Sequence, residues 1–226
     1  MQFETIPVTR MEQNCSILWC EVTNRAAIID PGGDLHLILD LLEWNDLTLE
    51  VILVTHGHYD HAGSAARLAA ETDARTEGPH RGDAHLLAGL SDYAASRGVK
   101  ADSYIPGRWL EHGDQVRFGE EFLDVLHCPG HTKGHVAYFS PSARWAFVGD
   151  ILFRGAIGAW EHRDGDLPTL IDSIRNRLFP LGDDVRFVPG HGETSTFGRE
   201  RAENPFVGDA AMAALEARRA ARAAAT

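Results

Sequence analysis

Short apolar runs separated by polar turns recur along the chain, with the period and length typical of β-strands. In the first half these runs cover residues 2–8, 15–22, 26–29 and 51–54. In the second half they cover residues 115–118, 121–126, 136–139, 145–148 and 185–188. The pattern therefore predicts two strand-rich halves.

Helical spacing appears between these strands and after them. Five of the apolar residues of 35–44 fit one face of a helix; they are Leu35, Ile38, Leu39, Leu41 and Leu42. Further helices are predicted over residues 63–71, 83–97, 167–178 and, in an alanine- and arginine-rich tail, 210–225. Strands and helices in both halves predict a mixed α/β protein.

The length and composition fit one large core. The chain has 226 residues, of which 44% are hydrophobic, and no linker or tandem repeat divides it. We predict a single domain over residues 1–208 and a helical tail over residues 209–226. The tail is interpreted either as a solvated helix or as a contact between copies in a homo-oligomer.

Acidic residues outnumber basic ones by 33 to 21, which gives a formal net charge of −12. This charge disfavours binding to nucleic acid backbones. No apolar run approaches the roughly 20 residues of a membrane helix, and residues 1–14 lack a signal-peptide core. The three cysteines form no Cys-x-x-Cys pair. We expect a reduced, cytoplasmic protein with neither a nucleic acid nor a membrane as its partner.

A His-x-His-x-Asp-His run follows the apolar residues 51–54, and it contains His56, His58, Asp60 and His61. Four side chains that ligate metals can surround a cation within six residues only if the backbone turns sharply. Neighbouring glycines permit such a turn. The run is interpreted as the core of a metal site.

Three more candidate ligands follow apolar strands in the second half. They are His131, Asp150 and His191, and each lies beside a glycine or at a turn. A single histidine is usually a solvated or hydrogen-bonded residue, but four strand-end loops with the same chemistry are hard to reconcile with chance. We predict that these loops meet at one site.

The order of these stretches resembles the metallo-β-lactamase superfamily, and within it the small glyoxalase II-like, or hydroxyacylglutathione hydrolase-like, branch. The stretches that carry the resemblance are Ile-Ile-Asp-Pro-Gly-Gly at 28–33, the ligand run at 56–61, His-Cys-Pro-Gly-His-Thr-Lys-Gly-His at 127–135, Gly-Asp at 149–150 and Pro-Gly-His-Gly at 189–192. The resemblance extends from about residue 2 to 208. It implies a four-layer αβ/βα sandwich with a metal site at one edge.

The resemblance also implies a set of seven ligands for two divalent metal ions. One ion takes His56, His58 and His131, the second takes Asp60, His61 and His191, and Asp150 bridges them. Zinc is expected, and iron and manganese are also compatible because the set lacks a thiolate. Asp60 is the expected catalytic residue, since it orients the nucleophilic water or receives its proton.

Supporting roles are implied for other residues. Asp30 and His135 are expected behind the ligands, and Lys133, Arg154 and Trp160 are expected to contact the substrate. The branch commonly reads Gly-Arg-x-Asp-Phe after the bridging aspartate. Here residues 158–162 read Gly-Ala-Trp-Glu-His, so the contacts of this loop are expected to differ. Cys128 is interpreted as a packing residue rather than a nucleophile.

The predicted function is hydrolysis of a small-molecule thioester of the S-acylglutathione type by a metal-bridging hydroxide. An alternative is an oxidoreductase that resembles persulfide dioxygenase and uses one ferrous ion. A lactonase, a β-lactamase or another small-ester hydrolase is a further alternative. A non-enzymatic metal-binding scaffold is disfavoured, because every ligand position is filled.

Overall fold

A computed structural model describes residues 1–223. Its strands are β1 (Gln2–Val8), β2 (Gln13–Trp19), β3 (Arg25–Ile29), β4 (Thr48–Leu53), β5 (Arg75–Glu77), β6 (Gln115–Phe118), β7 (Glu121–His127), β8 (Val136–Ser140), β9 (Trp145–Gly149), β10 (Leu152–Phe153), β11 (Ala156–Ile157), β12 (Arg186–Pro189) and β13 (Ser195–Thr196). Its α-helices are α1 (Leu35–Trp44), α2 (Tyr59–Ala62), α3 (Ala65–Thr72), α4 (Ala84–Ala88), α5 (Leu90–Ser96), α6 (Leu167–Ser173), α7 (Phe197–Glu203) and α8 (Asp209–Ala223).

The strands form two large sheets and a small hairpin. The first sheet has the order β1-β2-β3-β4-β5, and the second has the order β13-β12-β9-β8-β7-β6. The pairs β3/β4, β4/β5 and β9/β12 are parallel, and the other neighbours are antiparallel. Strands β10 and β11 form the separate hairpin.

Alternation along the strands assigns each apolar side chain to one of three core layers. On β3 and β4, Ile28 and Ile52 face the helices, while Ile29 and Leu53 face the second sheet. The second sheet buries its other face against α6 and α7, for example through Phe187. The layers are therefore helix, sheet, sheet and helix, which confirms the predicted four-layer sandwich.

Several predicted boundaries were wrong. Strand β2 ends at Trp19 rather than at residue 22, because the backbone turns where the Asn24 amide donates to the Cys20 carbonyl at 2.9 Å. The helix predicted over 63–71 is α3, which begins at Ala65 and ends at Thr72, and the short helix α2 lies before it in the ligand run. The helix predicted over 83–97 is divided at Gly89. The helix predicted over 167–178 is α-helical to Ser173 and then π-helical.

The predicted tail is helical where the structure describes it, since α8 covers Asp209–Ala223. Residues 224–226 of that prediction lie outside the described residues. Throughout residues 1–223, each helix is either too short or too polar to cross a lipid bilayer.

Candidate metal centre

The strand ends bring the seven predicted ligands to one edge of the sandwich. Strand β4 leads to His56 and His58, and the following helix α2 carries Asp60 and His61. In the second sheet, His131 lies in the loop between β7 and β8. Asp150 follows β9 and His191 follows β12, and these strands are parallel, so both side chains emerge at the same edge.

The ligand atoms form three overlapping groups, each with its atoms within 4.8 Å of one another. The groups are His56, His58 and His131; His56, His61 and Asp150; and Asp60, His61 and His191. Asp150 is adjacent to both ends of the cluster, since its carboxylate lies 3.3 Å from His61 Nε2 and 3.8 Å from the Nε2 atoms of His131 and His191. This is the arrangement predicted for a bridging carboxylate.

In most of the ligand histidines, a hydrogen bond to one ring nitrogen determines that the other ring nitrogen faces the cluster. Nδ1 of His131 donates to the Ala159 carbonyl at 2.7 Å, and Nδ1 of His191 donates to the Met11 carbonyl at 2.9 Å. In His61, Nδ1 lies 2.8 Å from the Asp30 carboxylate. Nε2 is therefore the ring atom that faces the cluster in these three histidines, which is how metal-binding histidines are held.

His58 differs because its Nδ1 atom, rather than its Nε2 atom, faces the cluster. That atom lies 2.9 Å from His56 Nε2 and 3.1 Å from His131 Nε2. The Nδ1 atom of His56 is itself 3.1 Å from the Thr55 hydroxyl, which donates to Asp30 and therefore accepts from the ring. Three nitrogens thus converge with too few protons to hydrogen-bond one another, an arrangement that a cation would satisfy.

Two buried polar atoms strengthen the fit to a metal. Nε2 of His61 and Oδ1 of Asp150 lie 3.3 Å apart, yet neither atom makes a hydrogen bond among residues 1–223. Buried polar atoms are rarely left unpaired, because losing water without a replacement bond costs about 1–3 kcal/mol. Both atoms face the cluster, so the donor set fits metal ions at this edge.

The protonation states also suit cations. Burial lowers the pKa of His56 well below its usual range, and burial followed by the charge of His131 lowers the pKa of His58 to about 3. Burial acts to raise the pKa of Asp150, but the nearby His61, His131 and His191 together outweigh it and the pKa is lowered. The neutral imidazoles of His56 and His58 and the ionised Asp150 are the forms that bind metals. Burial acts to lower the pKa of His61, but the carboxylates of Asp150 and Asp30 outweigh it and raise that pKa, so His61 releases a proton when it binds a metal.

Asp30 lies behind the ligand cluster. Its carboxylate accepts from the Thr55 amide at 2.7 Å, the Thr55 hydroxyl at 2.6 Å and His61 Nδ1 at 2.8 Å. It therefore orients two of the ligand loop's side chains, His61 directly and His56 through Thr55.

His135 is also behind the cluster and is not available as a ligand. Its Nδ1 donates to the Val136 carbonyl at 3.0 Å, and its Nε2 accepts from the Asp150 amide at 3.1 Å. The ring stacks on His56 with centroids 4.6 Å apart. It therefore holds the backbone of the bridging aspartate and the plane of a ligand ring.

Asp83 is a buried residue that the sequence reasoning missed. Its carboxylate accepts from the Gly57 amide at 2.9 Å, the Thr132 hydroxyl at 2.7 Å and the Gly134 amide at 2.6 Å. It joins the loop of His56 to the loop of His131. No local signal identifies this role, because residue 83 lies in a stretch that was predicted only as a helix.

The residues predicted to contact substrate have other partners. Lys133 is 63% exposed and pairs with Asp164 at 3.3 Å, and Arg154 pairs with Glu193. Trp160 packs against the core below the second sheet. Their predicted contacts with a substrate stay a prediction.

The altered loop at 158–162 places a further histidine at the mouth of the site. The exposed His162 ring lies 5.3 Å from the His131 ring and 5.7 Å from the His58 ring, measured between centroids. Residue 162 departs from the phenylalanine that is common at this position of the branch, and the sequence alone does not locate it. The structure shows that it borders the first ligand group.

Two cavities open beside the ligands. One, of about 470 Å³, is bordered by His58, His85, Leu86, Tyr93 and His162 among others. The other, of about 360 Å³, is lined by Met11, His58, Tyr59, Asp60, Tyr93, Arg97, Asp150 and His191. These volumes are in the range of small-molecule sites.

The sequence from residue 8 to residue 191 matches the family model described as the metallo-beta-lactamase superfamily. The chain belongs to the metallo-β-lactamase superfamily. It is 41% identical over 209 residues to the hydroxyacylglutathione hydrolase GloC of Haemophilus influenzae, across 92% of this chain and 98% of that protein. The resemblance inferred from the sequence is confirmed, and the chain is a metal-dependent hydrolase of this superfamily.

Solved structures of the superfamily share this fold over nearly their whole length. The BLEG-1 B3 metallo-beta-lactamase superposes with a TM-score of 0.84 and 31% identity, covering 91% of this chain and 99% of that one. TTHA1623, in a di-iron-bound form, superposes with a TM-score of 0.81 and 33% identity, covering 90% and 99%. Members with the same fold therefore include a protein crystallised with two iron ions.

Proposed function

We propose that this protein hydrolyses small thioesters of the acylglutathione type at a dinuclear metal site. The observation that carries the proposal is the complete ligand cluster, in which Asp150 reaches both groups of histidines. The similarity to GloC of Haemophilus influenzae along nearly its whole length supports the choice of substrate.

The groups of ligand atoms support a site for two ions, in which His56, His58 and His131 would hold one, Asp60, His61 and His191 would hold the other, and Asp150 would serve both. We expect zinc, while iron and manganese suit the same nitrogen and oxygen donors. When bound, such ions polarise a substrate carbonyl and lower the pKa of water toward neutrality.

The chain's own groups perform the positioning. Asp60 is only 8% exposed, and its carboxylate lies 3.3 Å from His191 Nε2, at the wall of the 360 Å³ cavity. From this place it would orient the attacking water or receive its proton. No serine or cysteine nucleophile is needed.

The test is release of free thiol from S-lactoylglutathione by protein loaded in turn with zinc, iron and manganese. His191→Ala should reduce kcat/KM by at least about 100-fold, because it removes a ligand. His112→Ala, at an exposed position, is the matched control. The proposal fails if metal-loaded protein releases no thiol from a panel of thioesters.

The same preparation separates the alternatives. Oxygen uptake with glutathione persulfide by iron-loaded protein would favour the dioxygenase-like reaction. Hydrolysis of a β-lactam or a lactone, without thioester cleavage, would favour the other hydrolases. In keeping with the net charge of −12, we expect small molecules rather than nucleic acids as partners.

A further inference from the structure

A third cavity, of about 440 Å³, collects positive charge in an acidic protein. Four cationic side chains line it: Arg10, Arg67, Arg97 and Lys100. They come from the loop between β1 and β2, from α3 and from the segment after α5. The chain as a whole has a net charge of −12. The lining of this cavity therefore has the opposite sign of charge from the protein as a whole.

These cations are not neutralised by the protein. Within residues 1–223, Arg10, Arg67 and Lys100 have no carboxylate partner at ion-pair distance. Arg97 donates to the Tyr93 hydroxyl at 3.0 Å and stacks over its ring. In contrast, the predicted substrate cations Lys133 and Arg154 both have carboxylate partners.

One acid, Asp34, is among the residues that line the cavity. Its Oδ2 atom accepts from the Thr9 amide at 2.7 Å, so the carboxylate is engaged with the backbone of the β1–β2 loop. Four cations against one acid leave an excess of positive charge. A cavity of this size and charge suits an organic anion.

The cationic cavity adjoins the candidate metal centre. Met11, Tyr59 and Arg97 line both this cavity and the 360 Å³ cavity that contains Asp60 and His191. A substrate whose carbonyl lies at the ligand cluster can therefore extend its other end past Tyr59 and Arg97 into the cationic cavity.

We propose that Arg10, Arg67, Arg97 and Lys100 form the anchor for the carboxylates on the thiol half of the substrate. The proposal rests on the proposed thioester hydrolysis and specifies which thiols it accepts. Arginine forms paired hydrogen bonds with a carboxylate, and lysine adds a point charge. A thiol carrying two carboxylates, such as a tripeptide thiol, matches this set better than a neutral thiol.

The kinetic test compares two thioesters with the same lactoyl group, one of glutathione and one of the neutral thiol N-acetylcysteamine. Arg67→Ala and Lys100→Ala should each raise KM for the glutathione thioester by about 5- to 30-fold, with kcat within about threefold. KM for the neutral thioester should not change. Arg67→Lys should retain part of the effect, because it keeps the charge.

Arg117→Ala is the matched control, since Arg117 is an exposed arginine on β6, outside the cationic cavity. Its KM and kcat for both thioesters should equal those of the unaltered protein. An equal loss with charged and neutral thioesters in Arg67→Ala and Lys100→Ala would overturn the anchor, as would no change with either. In both cases thioester hydrolysis itself would still stand.

A binding measurement keeps the anchor testable if no thioester is cleaved. S-methylglutathione, which cannot be hydrolysed, should bind the metal-loaded protein in calorimetry. Its affinity should fall by about 5- to 30-fold in Arg67→Ala and Lys100→Ala and should weaken with added salt. Binding that is insensitive to both variants and to salt would refute the anchor independently of catalysis.

Discussion

Asp30 illustrates how much of the site depends on single residues that would not touch a metal. It follows β3 with a left-handed backbone, at a φ of 55°. From there its two oxygens accept from Thr55 and His61. A charge that is buried and fully hydrogen-bonded holds its neighbours in one geometry.

Asp30→Asn should weaken metal binding by about 10- to 100-fold, because asparagine keeps the size and backbone conformation but loses the charge that faces His61. Competition with a chromogenic chelator measures the affinity. Asp40→Asn, at an exposed position on α1, is the control and should bind metal normally. Equal affinity in both variants would remove Asp30 from its supporting role.

Cys128 is a second residue whose surroundings determine its role. The thiol is buried, and burial raises its pKa to about 12. At pH 7 only about one thiol in 100,000 is then ionised, and the thiolate is the nucleophilic form.

Cys128→Ala should therefore keep kcat within about threefold. Iodoacetamide should modify Cys128 of the native protein far more slowly than in urea, since the folded protein buries the thiol. Mass spectrometry of the modified peptide measures both rates. A large loss of kcat with normal metal content would instead assign this cysteine to the reaction.

Among the secondary structure elements, the parallel pair β9 and β12 has the most direct effect on the site. A register shift between Val188 and Pro189 pairs Pro189 with Gly149. The next residues, Asp150 and Gly190, are then so close that a Cβ atom on Gly190 would lie 2.0 Å from Asp150 Oδ1 and 2.6 Å from His61 Cε1. The strand ends can approach only because this residue has no side chain.

Gly190→Ala should displace Asp150 and reduce metal affinity by at least about tenfold, while overpacking lowers the free energy of unfolding by about 1–3 kcal/mol. Elemental analysis and chemical denaturation measure the two effects. Gly89→Ala is the control, because its Cβ would meet the His85 carbonyl at 3.4 Å, an ordinary contact. Full metal content in Gly190→Ala would contradict the packing argument.

In the whole molecule, the ligand cluster joins the two sheets. His56, His58, Asp60 and His61 follow a strand of the first sheet, while the remaining ligands follow strands of the second. A bound ion therefore connects both halves of the sandwich, and its binding free energy adds to the stability of the folded chain.

Removing metal with a chelator should lower the melting temperature, and zinc, iron or manganese should restore it. At a free metal concentration 100 times Kd, the stabilisation is about 2.7 kcal/mol per site. Differential scanning calorimetry measures the shift, with the His191→Ala variant expected to respond less. An identical melting temperature with and without metal, at confirmed occupancy, would contradict the proposed ligands.

The strands and the candidate ligands could both be predicted from the sequence because both are local signals. Alternation is visible within one strand, and the run from His56 to His61 lies in one turn. Hydrogen bonds between distant segments leave no such signal. Asp83 accepts from Gly57 and Gly134, and neither partner is near it in the chain.

The cationic residues also show the difference between local and long-range information. The sequence predicted Lys133 and Arg154 as substrate contacts, yet the fold pairs them with Asp164 and Glu193. Arg67 and Lys100 had no distinguishing pattern, but packing places them in one cavity. Whether a cation is free for a ligand depends on which carboxylates the tertiary structure brings near it.

From the amino-acid sequence alone, hydrophobic period predicted a mixed α/β protein, and the resemblance of short stretches to the metallo-β-lactamase superfamily implied the four-layer sandwich and the seven candidate ligands. Both are readable in the sequence because they are properties of short segments. The tertiary structure decided the supporting contacts of Asp83, the place of His162 beside the ligand rings and the cationic cavity. The physical reason is that burial, pairing and proximity arise only when segments far apart in the chain are packed together.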